Sequence, residues 1–168
     1  GELRGLKGSL YEGGVRVPTL VRWPGHVAAG SSNDRISGFE DWMPTLLEMT
    51  GASVKAPANI DGISLAQTLL GKKQEPREFL YREFPSYGGQ QTIRAGDWKA
   101  VRQNMTKGNL KIELYNIAND IGEKHDVADE NPLIVKELAA LMKQEHVPSE
   151  VFPLRPLDGP AIKPRKKN

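Results

Sequence analysis

One short stretch near the start of the chain, LKGSLYEGGVRVP, carries residue types that could bind an anion. Lys7, which precedes Gly8, is a point cation suited to an anionic group. Gly13 and Gly14 permit backbone conformations or close approaches that other residues cannot make, as a strand entering beside a ligand site would need. Residue type and spacing therefore make Lys7 a candidate anion-binding residue.

Two charged residues flank the glycine pair. Glu12 and Arg16 are close enough in the sequence to form an ion pair that holds the loop. On these residues alone, an ordinary turn with surface charges is favoured over an anion-binding loop.

Metal and thiol chemistry find little support in this sequence. The chain has no cysteine, which excludes disulfides, cysteine-ligated metals and a thiol nucleophile. His26, His125 and His146 share no spacing. The acids of the NDIGEKHDVADENP loop lack the ligand periodicity and central glycine of a calcium loop; they are Asp120, Glu123, Asp126, Asp129 and Glu130. We expect them to form a solvated turn that caps the following helix, and we expect no metal ligand in this chain.

Composition excludes two function classes. The 168 residues carry a formal net charge of +2, and the tail from Phe152 to Asn168 holds five basic residues and one acid. The rest of the chain is therefore slightly acidic, so we expect no nucleic-acid-binding domain. No run approaches the roughly 18 apolar residues of a membrane span. For the terminal KPRKKN a solvated end is favoured over a polyanion-binding arm.

The elements in the first half of the chain are short. TLVRW (Thr19–Trp23) predicts a buried strand that ends at a Pro-Gly turn, although no neighbouring strand is evident nearby. DWMPTLLEMTG predicts a helix with Asp41 as N-cap and Gly51 as its end. Ser64 can cap a second short helix that continues through Leu70.

The second half predicts an antiparallel meander covered by a helix. EFLYREF, QTIRAGDWKAVRQ and LKIELYN are β-rich stretches, with reversals at Ala95-Gly96-Asp97 and Lys107-Gly108-Asn109. Pro132 opens a helix to about His146. Its apolar stripe should pack on one face of the meander; the stripe comprises Leu133, Val135, Leu138, Leu141 and Met142.

Seven blocks occur in an order that resembles the C-terminal part of sulfatases of the arylsulfatase family, in the alkaline-phosphatase-like superfamily. They run from about Leu3 to Pro153 and read LKGSLYEGGVRVPTLVRWPG, DWMPTLLEMTG, IDGISLAQTLLG, LYREF, IRAGDWKAV, ELYNIANDIGEKHDVADENP and HVPSEVFP. The resemblance implies that Lys7 contacts the sulfate ester in the active site. It implies that Glu12, Gly13, Gly14 and Arg16 position Lys7.

The same resemblance implies a formylglycine nucleophile and a calcium ion in the complete enzyme. The C/S-x-P-x-R motif that yields formylglycine does not occur in this sequence. We therefore expect the chain to be the C-terminal portion of a sulfatase, inactive alone, whose partner is a missing N-terminal catalytic region. The expected substrate is an aryl or carbohydrate sulfate monoester.

The resemblance also implies an α/β fold with a smaller C-terminal part. Residues 1–75 would end the large α/β catalytic domain, and TLVRW would be a strand of its sheet. Residues 76–153 would form an antiparallel four-stranded sheet packed by a C-terminal helix, and residues 154–168 a disordered tail.

Two other functions stay open on the sequence. One is a phosphonate or phosphate ester hydrolase of the same superfamily. The other is a non-catalytic binding or interface module. The compartment is not determined by these residues, and the resemblance implies a periplasmic, extracellular or lysosomal location.

Overall fold

The computed structural model describes residues 1–159, which form two compact units. The first unit combines Gly1–Val17 with the chain from Tyr81 onwards, and the second comprises Pro18–Leu80. The KPRKKN sequence lies outside the described residues, as do both interpretations of it. No helix within residues 1–159 is long and apolar enough to cross a membrane. The predicted domain boundaries stay a prediction.

The first unit is built on a four-stranded sheet with the order β1-β2-β3-β4. The strands are β1 (Leu80–Phe84), β2 (Gln90–Ala95), β3 (Trp98–Arg102) and β4 (Glu113–Asn116). β2 pairs antiparallel with β3, and β3 with β4. Both predicted reversals lie between strands, and Gly96 in the tight turn has φ +55°, a conformation that favours glycine. The predicted meander is confirmed.

One face of the sheet is covered by helix α4 (Pro132–Glu145), which packs against β2 and β3. Leu138 and Met142 are its buried side chains. Ile93, Ala100 and Leu114 are opposite one another in the strand register and fully buried, so they share a face of the sheet. The covering helix is therefore confirmed.

The prediction is wrong for one position of the apolar stripe. Leu133 is exposed, because it lies in the first turn of α4, beyond the face that meets the sheet. The second face of the sheet carries a different set of side chains, among them Lys99, Val101 and Tyr115, and the N-terminal segment packs there. Tyr11 joins Val101, Tyr115 and Ile117 in one buried cluster.

The second unit contains a 3₁₀ turn (Phe39–Asp41), α2 (Trp42–Met49) and α3 (Ala66–Leu69). Both predicted short helices are present. The strand predicted at Thr19–Trp23 is not, and Leu20 is 96% exposed. A strand exists only through hydrogen bonds to a neighbour, and none pairs with this segment within residues 1–159.

Asp41 has a different role from the predicted one. Its side chain does not cap α2. It is fully buried and accepts hydrogen bonds from the backbone N–H groups of Gly38 and Ile63, at 2.8 and 2.7 Å, and it pairs with Arg77. Asp41 therefore connects the loops on both sides of α2 rather than the first turn of the helix.

The predicted disorder of residues 154–168 is wrong for the residues of that tail that the structure describes. Leu154 is buried and is followed by α5 (Arg155–Asp158). Asp158 accepts a hydrogen bond from the Leu154 backbone N–H at 2.6 Å and lies 2.7 Å from His146 Nε2. Burial of one apolar side chain and these polar contacts attach the start of the tail.

Candidate active-site loop

Lys7 lies in a tight loop, residues 4–9, which we call the Lys7 loop. The backbone N–H of Ser9 donates to the carbonyl of Leu6 at 2.9 Å. Gly5 and Gly8 have φ values of +85° and +87°. The Lys7 side chain is exposed, and it forms no ion pair with any described residue. Its ammonium group is therefore available to an anionic ligand.

The consecutive glycines allow helix α1 (Glu12–Val15) to lie directly on the backbone of the Lys7 loop. The N–H of Gly13 donates to the carbonyl of Arg4 at 2.6 Å, and a Cβ on Gly13 would stand 2.5 Å from the carbonyl oxygens of Arg4 and Gly5. A Cβ on Gly14 would overlap the carbonyl oxygen of Ser9. The predicted close approach is thus present.

Glu12 is buried beneath this loop, between three cationic side chains. Its Oε2 lies 3.4 Å from Arg16, so the predicted pair is present, and 3.9 Å from Arg94. Its Oε1 lies 2.8 Å from Nζ of Lys99 on β3. Glu12, which follows Lys7 closely in the sequence, is therefore held by an ion pair to β3, an inner strand of the sheet.

Lys99 also contacts a second buried acid. Its Nζ lies 2.8 Å from Oε1 of Glu123, and Oε2 of Glu123 accepts a hydrogen bond from the backbone N–H of Glu12 at 2.7 Å. We call Glu12, Lys99 and Glu123 the buried triad. The expected solvated position of Glu123 is wrong, because this carboxylate is 0% exposed and serves the N-terminal segment.

The two carboxyl groups of the buried triad respond differently to their surroundings. Burial is the largest influence on both and raises the pKa of each. For Glu12 the Lys99 ammonium and the neighbouring arginines outweigh burial, and its pKa lies below the ordinary value. For Glu123 burial prevails, and its pKa lies above the ordinary value. Glu12 is therefore the firmly ionised partner of Lys99.

Gln90, the first residue of β2, holds the Lys7 loop from the other side. It is buried, its Oε1 accepts from the backbone N–H of Leu10 at 3.0 Å, and its Nε2 donates to the carbonyl of Gly8 at 2.7 Å. The side-chain amide of Gln90 thus forms two hydrogen bonds with the backbone that follows Lys7. Neither Gln90 nor Lys99 was predicted as a functional residue.

Arg4, at the start of the Lys7 loop, is held by two tyrosines and a glutamate. The Arg4 guanidinium lies 3.9 Å from the centroid of the Tyr11 ring and donates to the Tyr115 hydroxyl at 2.6 Å. Both tyrosine hydroxyls donate to the Glu113 carboxylate. Burial and this carboxylate raise the pKa of both phenols, so they stay protonated donors.

The acidic loop after β4 serves the backbone. Asp120 accepts from the N–H groups of Lys124 and His125, and Asp126 from those of Leu114 and Ala128. The predicted acidic capping of α4 is wrong, because its first turn holds no acid. Within residues 1–159, no group of three or more acids and histidines could hold a metal ion.

Most of the chain, including Lys7, matches one known protein family. The family model described as N-sulphoglucosamine sulphohydrolase, C-terminal, matches residues 6–148. The chain belongs to the sulfatase family. Arylsulfatase A of Homo sapiens is 32% identical over 169 residues, which cover 84% of this chain and 32% of the relative. An N-acetylgalactosamine-6-O-sulfatase of Bacteroides thetaiotaomicron is 30% identical over 154 residues, covering 85% of this chain and 30% of the relative.

Solved sulfatase structures share the fold. A structure of i-CgsB in complex with a neocarrahexaose is similar with a TM-score of 0.69 and 32% identity, covering 84% of this chain and 31% of that chain. A protein in complex with its substrate D-glucosamine-2-N,6-O-disulfate gives a TM-score of 0.63 and 26% identity, covering 73% and 26%. The expected α/β class with a small antiparallel sheet is confirmed.

This sulfatase chain corresponds to only part of its relatives. It spans about a third of the length of the arylsulfatases A that it matches, 32% for both the bovine and the human protein. The matched part is the C-terminal domain of the family.

Proposed function

We propose that the protein to which this chain contributes hydrolyses sulfate monoesters, and that Lys7 binds the sulfate group and the leaving oxygen. The observation that carries the proposal is the exposed Lys7, which forms no ion pair with any described residue and lies in a loop that Gln90 and the Glu12–Lys99 pair hold on two sides. Negative charge grows on the leaving oxygen as the S–O bond breaks. A fixed ammonium group at that place stabilises the transition state more than the ground state.

The residues around Lys7 have positioning roles in this proposal. Gly13 and Gly14 let α1 approach the loop backbone, and Glu12 connects α1 to Lys99 in the sheet. Arg16 lies on the outer side of Glu12 and balances its charge. These four residues hold Lys7 in place and do not react.

The described residues do not fit the formylglycine and calcium of the family. The sequence has no cysteine and no S-x-P-x-R motif, and residues 1–159 contain no cluster of metal-ligating side chains. We propose that both groups belong to an N-terminal catalytic region, the partner of this chain, and that the chain alone is inactive. In this proposal the contribution of the chain itself is Lys7, whose ammonium group acts on the oxygens of the ester.

The substrate we propose is an aryl or carbohydrate sulfate. Support comes from relatives that are named for an amino-sugar sulfate or are bound to one. By the same relationship we propose a periplasmic, extracellular or lysosomal location.

The test is a Lys7→Ala substitution in the full-length protein. We expect kcat/KM for a sulfate ester to fall about 10²–10³-fold, as for loss of one oxyanion-stabilising donor. Lys136→Ala on the exposed surface of α4 is the matched control and should leave turnover unchanged. Unchanged turnover in Lys7→Ala would show that Lys7 has no catalytic role.

The same assay separates the alternative functions. A wild-type enzyme faster on phosphate or phosphonate esters than on sulfate esters would be the related ester hydrolase. Absence of any ester turnover by the full-length protein would favour the binding or interface module.

A further inference from the structure

Tyr87, in the β1–β2 loop (residues 85–89), is an exposed aromatic residue in an unusual backbone conformation. The residue is 72% exposed. Its φ of +52° lies in the left-handed region, which a tyrosine rarely adopts. Such strain persists only where the surroundings impose it, and it is concentrated at functional sites. The position therefore needs an explanation beyond packing.

The β1–β2 loop is held firmly by its neighbours. The carbonyl of Gly88 accepts from the backbone N–H and the hydroxyl of Thr106, at 2.9 and 3.0 Å. The carbonyl of Gly89 accepts from the N–H of Met105 at 3.1 Å. On one side the Tyr87 ring stacks on Phe84, with centroids 5.7 Å apart and planes inclined by 28°. The ring is thus exposed but pre-oriented.

Tyr87 also touches the Lys7 loop. A Cβ on Gly8 would stand only 2.9 Å from Cε2 of the tyrosine ring, so the ring lies directly on the residue that follows Lys7. Gln90, three residues after Tyr87, binds the carbonyl of the same glycine. The exposed ring and the exposed ammonium are therefore carried by one connected piece of structure.

We propose that Tyr87 is a specificity-determining residue that stacks on the ring of the leaving group while Lys7 binds the sulfate. This inference rests on the proposed function. A sulfate monoester places the sulfate and the first ring of its leaving group within a few bonds of each other, matching neighbouring contacts from Lys7 and Tyr87. Tyrosine offers an apolar face and a polar hydroxyl at little conformational cost.

The shared ligand chemistry is a ring with a weakly polar face. Both the C–H face of a pyranose and an aryl ring have this property, so the experiment must distinguish these two sources. A ringless alkyl sulfate has the same reacting group without the stacking face. It therefore isolates the contribution of Tyr87 from that of Lys7.

The test measures KM and kcat of the full-length protein on three substrates, N-acetylgalactosamine 6-sulfate, 4-nitrophenyl sulfate and propyl sulfate. For Tyr87→Ala we expect KM to rise about 2- to 10-fold on at least one ring substrate, in line with the worth of an aromatic contact. kcat on that substrate and both constants on propyl sulfate should change less than about 2-fold. Tyr87→Phe should keep most of the ring preference, because the stacking face remains.

The outcomes separate this inference from the proposed function. A loss on one or both ring substrates that is absent on propyl sulfate supports the stacking role, and a loss on one of them alone identifies the ring. Wild-type constants in Tyr87→Ala on both ring substrates, or an equal loss on propyl sulfate, overturn it while sulfatase activity stands. No turnover of any sulfate ester by the wild type overturns both. Leu133→Ala, an exposed apolar position on α4, is the surface control.

Discussion

Replacing Lys99 by methionine removes a cation that two buried carboxylates share. The ammonium lies 2.8 Å from both Glu12 and Glu123, and the three side chains are between 0 and 3% exposed. Methionine keeps a long apolar chain in the same space, so little volume is lost. The change therefore tests the charge rather than the packing.

The expected cost follows from what remains around each acid. Glu12 keeps Arg16 and Arg94 at 3.4 and 3.9 Å, whereas the polar contact left to Glu123 among the described residues is the backbone N–H of Glu12. Breaking a buried ion pair by removing one partner costs about 3–5 kcal/mol. We expect a loss in this range in the free energy of unfolding near pH 8.

The pH dependence has a defined sign. Burial already raises the pKa of Glu123 in the native protein, and loss of Lys99 raises it further. A group whose pKa is raised by folding contributes stability below its unfolded value, here near 4.5, that is lost as pH rises through the folded value. The penalty of Lys99→Met should thus be smaller near pH 5 than near pH 8, by about 1 kcal/mol or more.

The assay is urea denaturation followed by tryptophan fluorescence, since Trp98 adjoins Lys99 on β3. Lys111→Met is the matched control, because Lys111 is 65% exposed and pairs with Asp126 at 3.9 Å. Such surface pairs contribute about 0–1 kcal/mol. A Lys99→Met penalty no larger than the control, or one that shrinks as pH rises, would refute the buried triad as a structural charge cluster.

Two further substitutions test how the Lys7 loop is held. Gly14→Ala should lower the free energy of unfolding by more than about 2 kcal/mol, because its Cβ would overlap the Ser9 carbonyl. Gly96→Ala is the control, because its Cβ meets nothing within 4 Å. It should lower the same free energy by about 1 kcal/mol, through the strain of a φ of +55°. Gln90→Ala leaves the buried N–H of Leu10 and the partly buried carbonyl of Gly8 without their partner, and we expect it to lower the free energy of unfolding by about 1–3 kcal/mol. Hydrogen exchange at the Leu10 amide should accelerate in the Gln90→Ala variant. Unchanged exchange would contradict the role of Gln90 in holding this backbone.

The features that could be predicted from sequence depend on near neighbours in the chain. The Gly13–Gly14 close approach and the Glu12–Arg16 pair each lie within a few residues of Lys7. The meander and α4 follow from alternation, turn residues and a proline start. In all of these, the local pattern already contains the physical cause.

The features that could not be predicted depend on distant partners. Glu12 is contacted by Lys99, 87 residues away in the sequence, and by Glu123, 111 residues away. Gln90 binds the backbone of Leu10, which is 80 residues away. Charged side chains are almost never fully buried unless paired, so a solvated turn was the natural expectation for Glu123. The strand predicted at Thr19–Trp23 also depends on a distant partner, and no strand pairs with this segment within residues 1–159.

The long-range contacts change how the Lys7 loop relates to the rest of the chain. Gln90 at the start of β2 binds the backbone carbonyl of Gly8, and Lys99 of β3 pairs with the side chain of Glu12. The loop is thus positioned by the antiparallel sheet, in one compact unit with it. The small sheet then has a direct role in the proposed site: it holds the loop that carries Lys7, and the β1–β2 loop places the Tyr87 ring against Gly8.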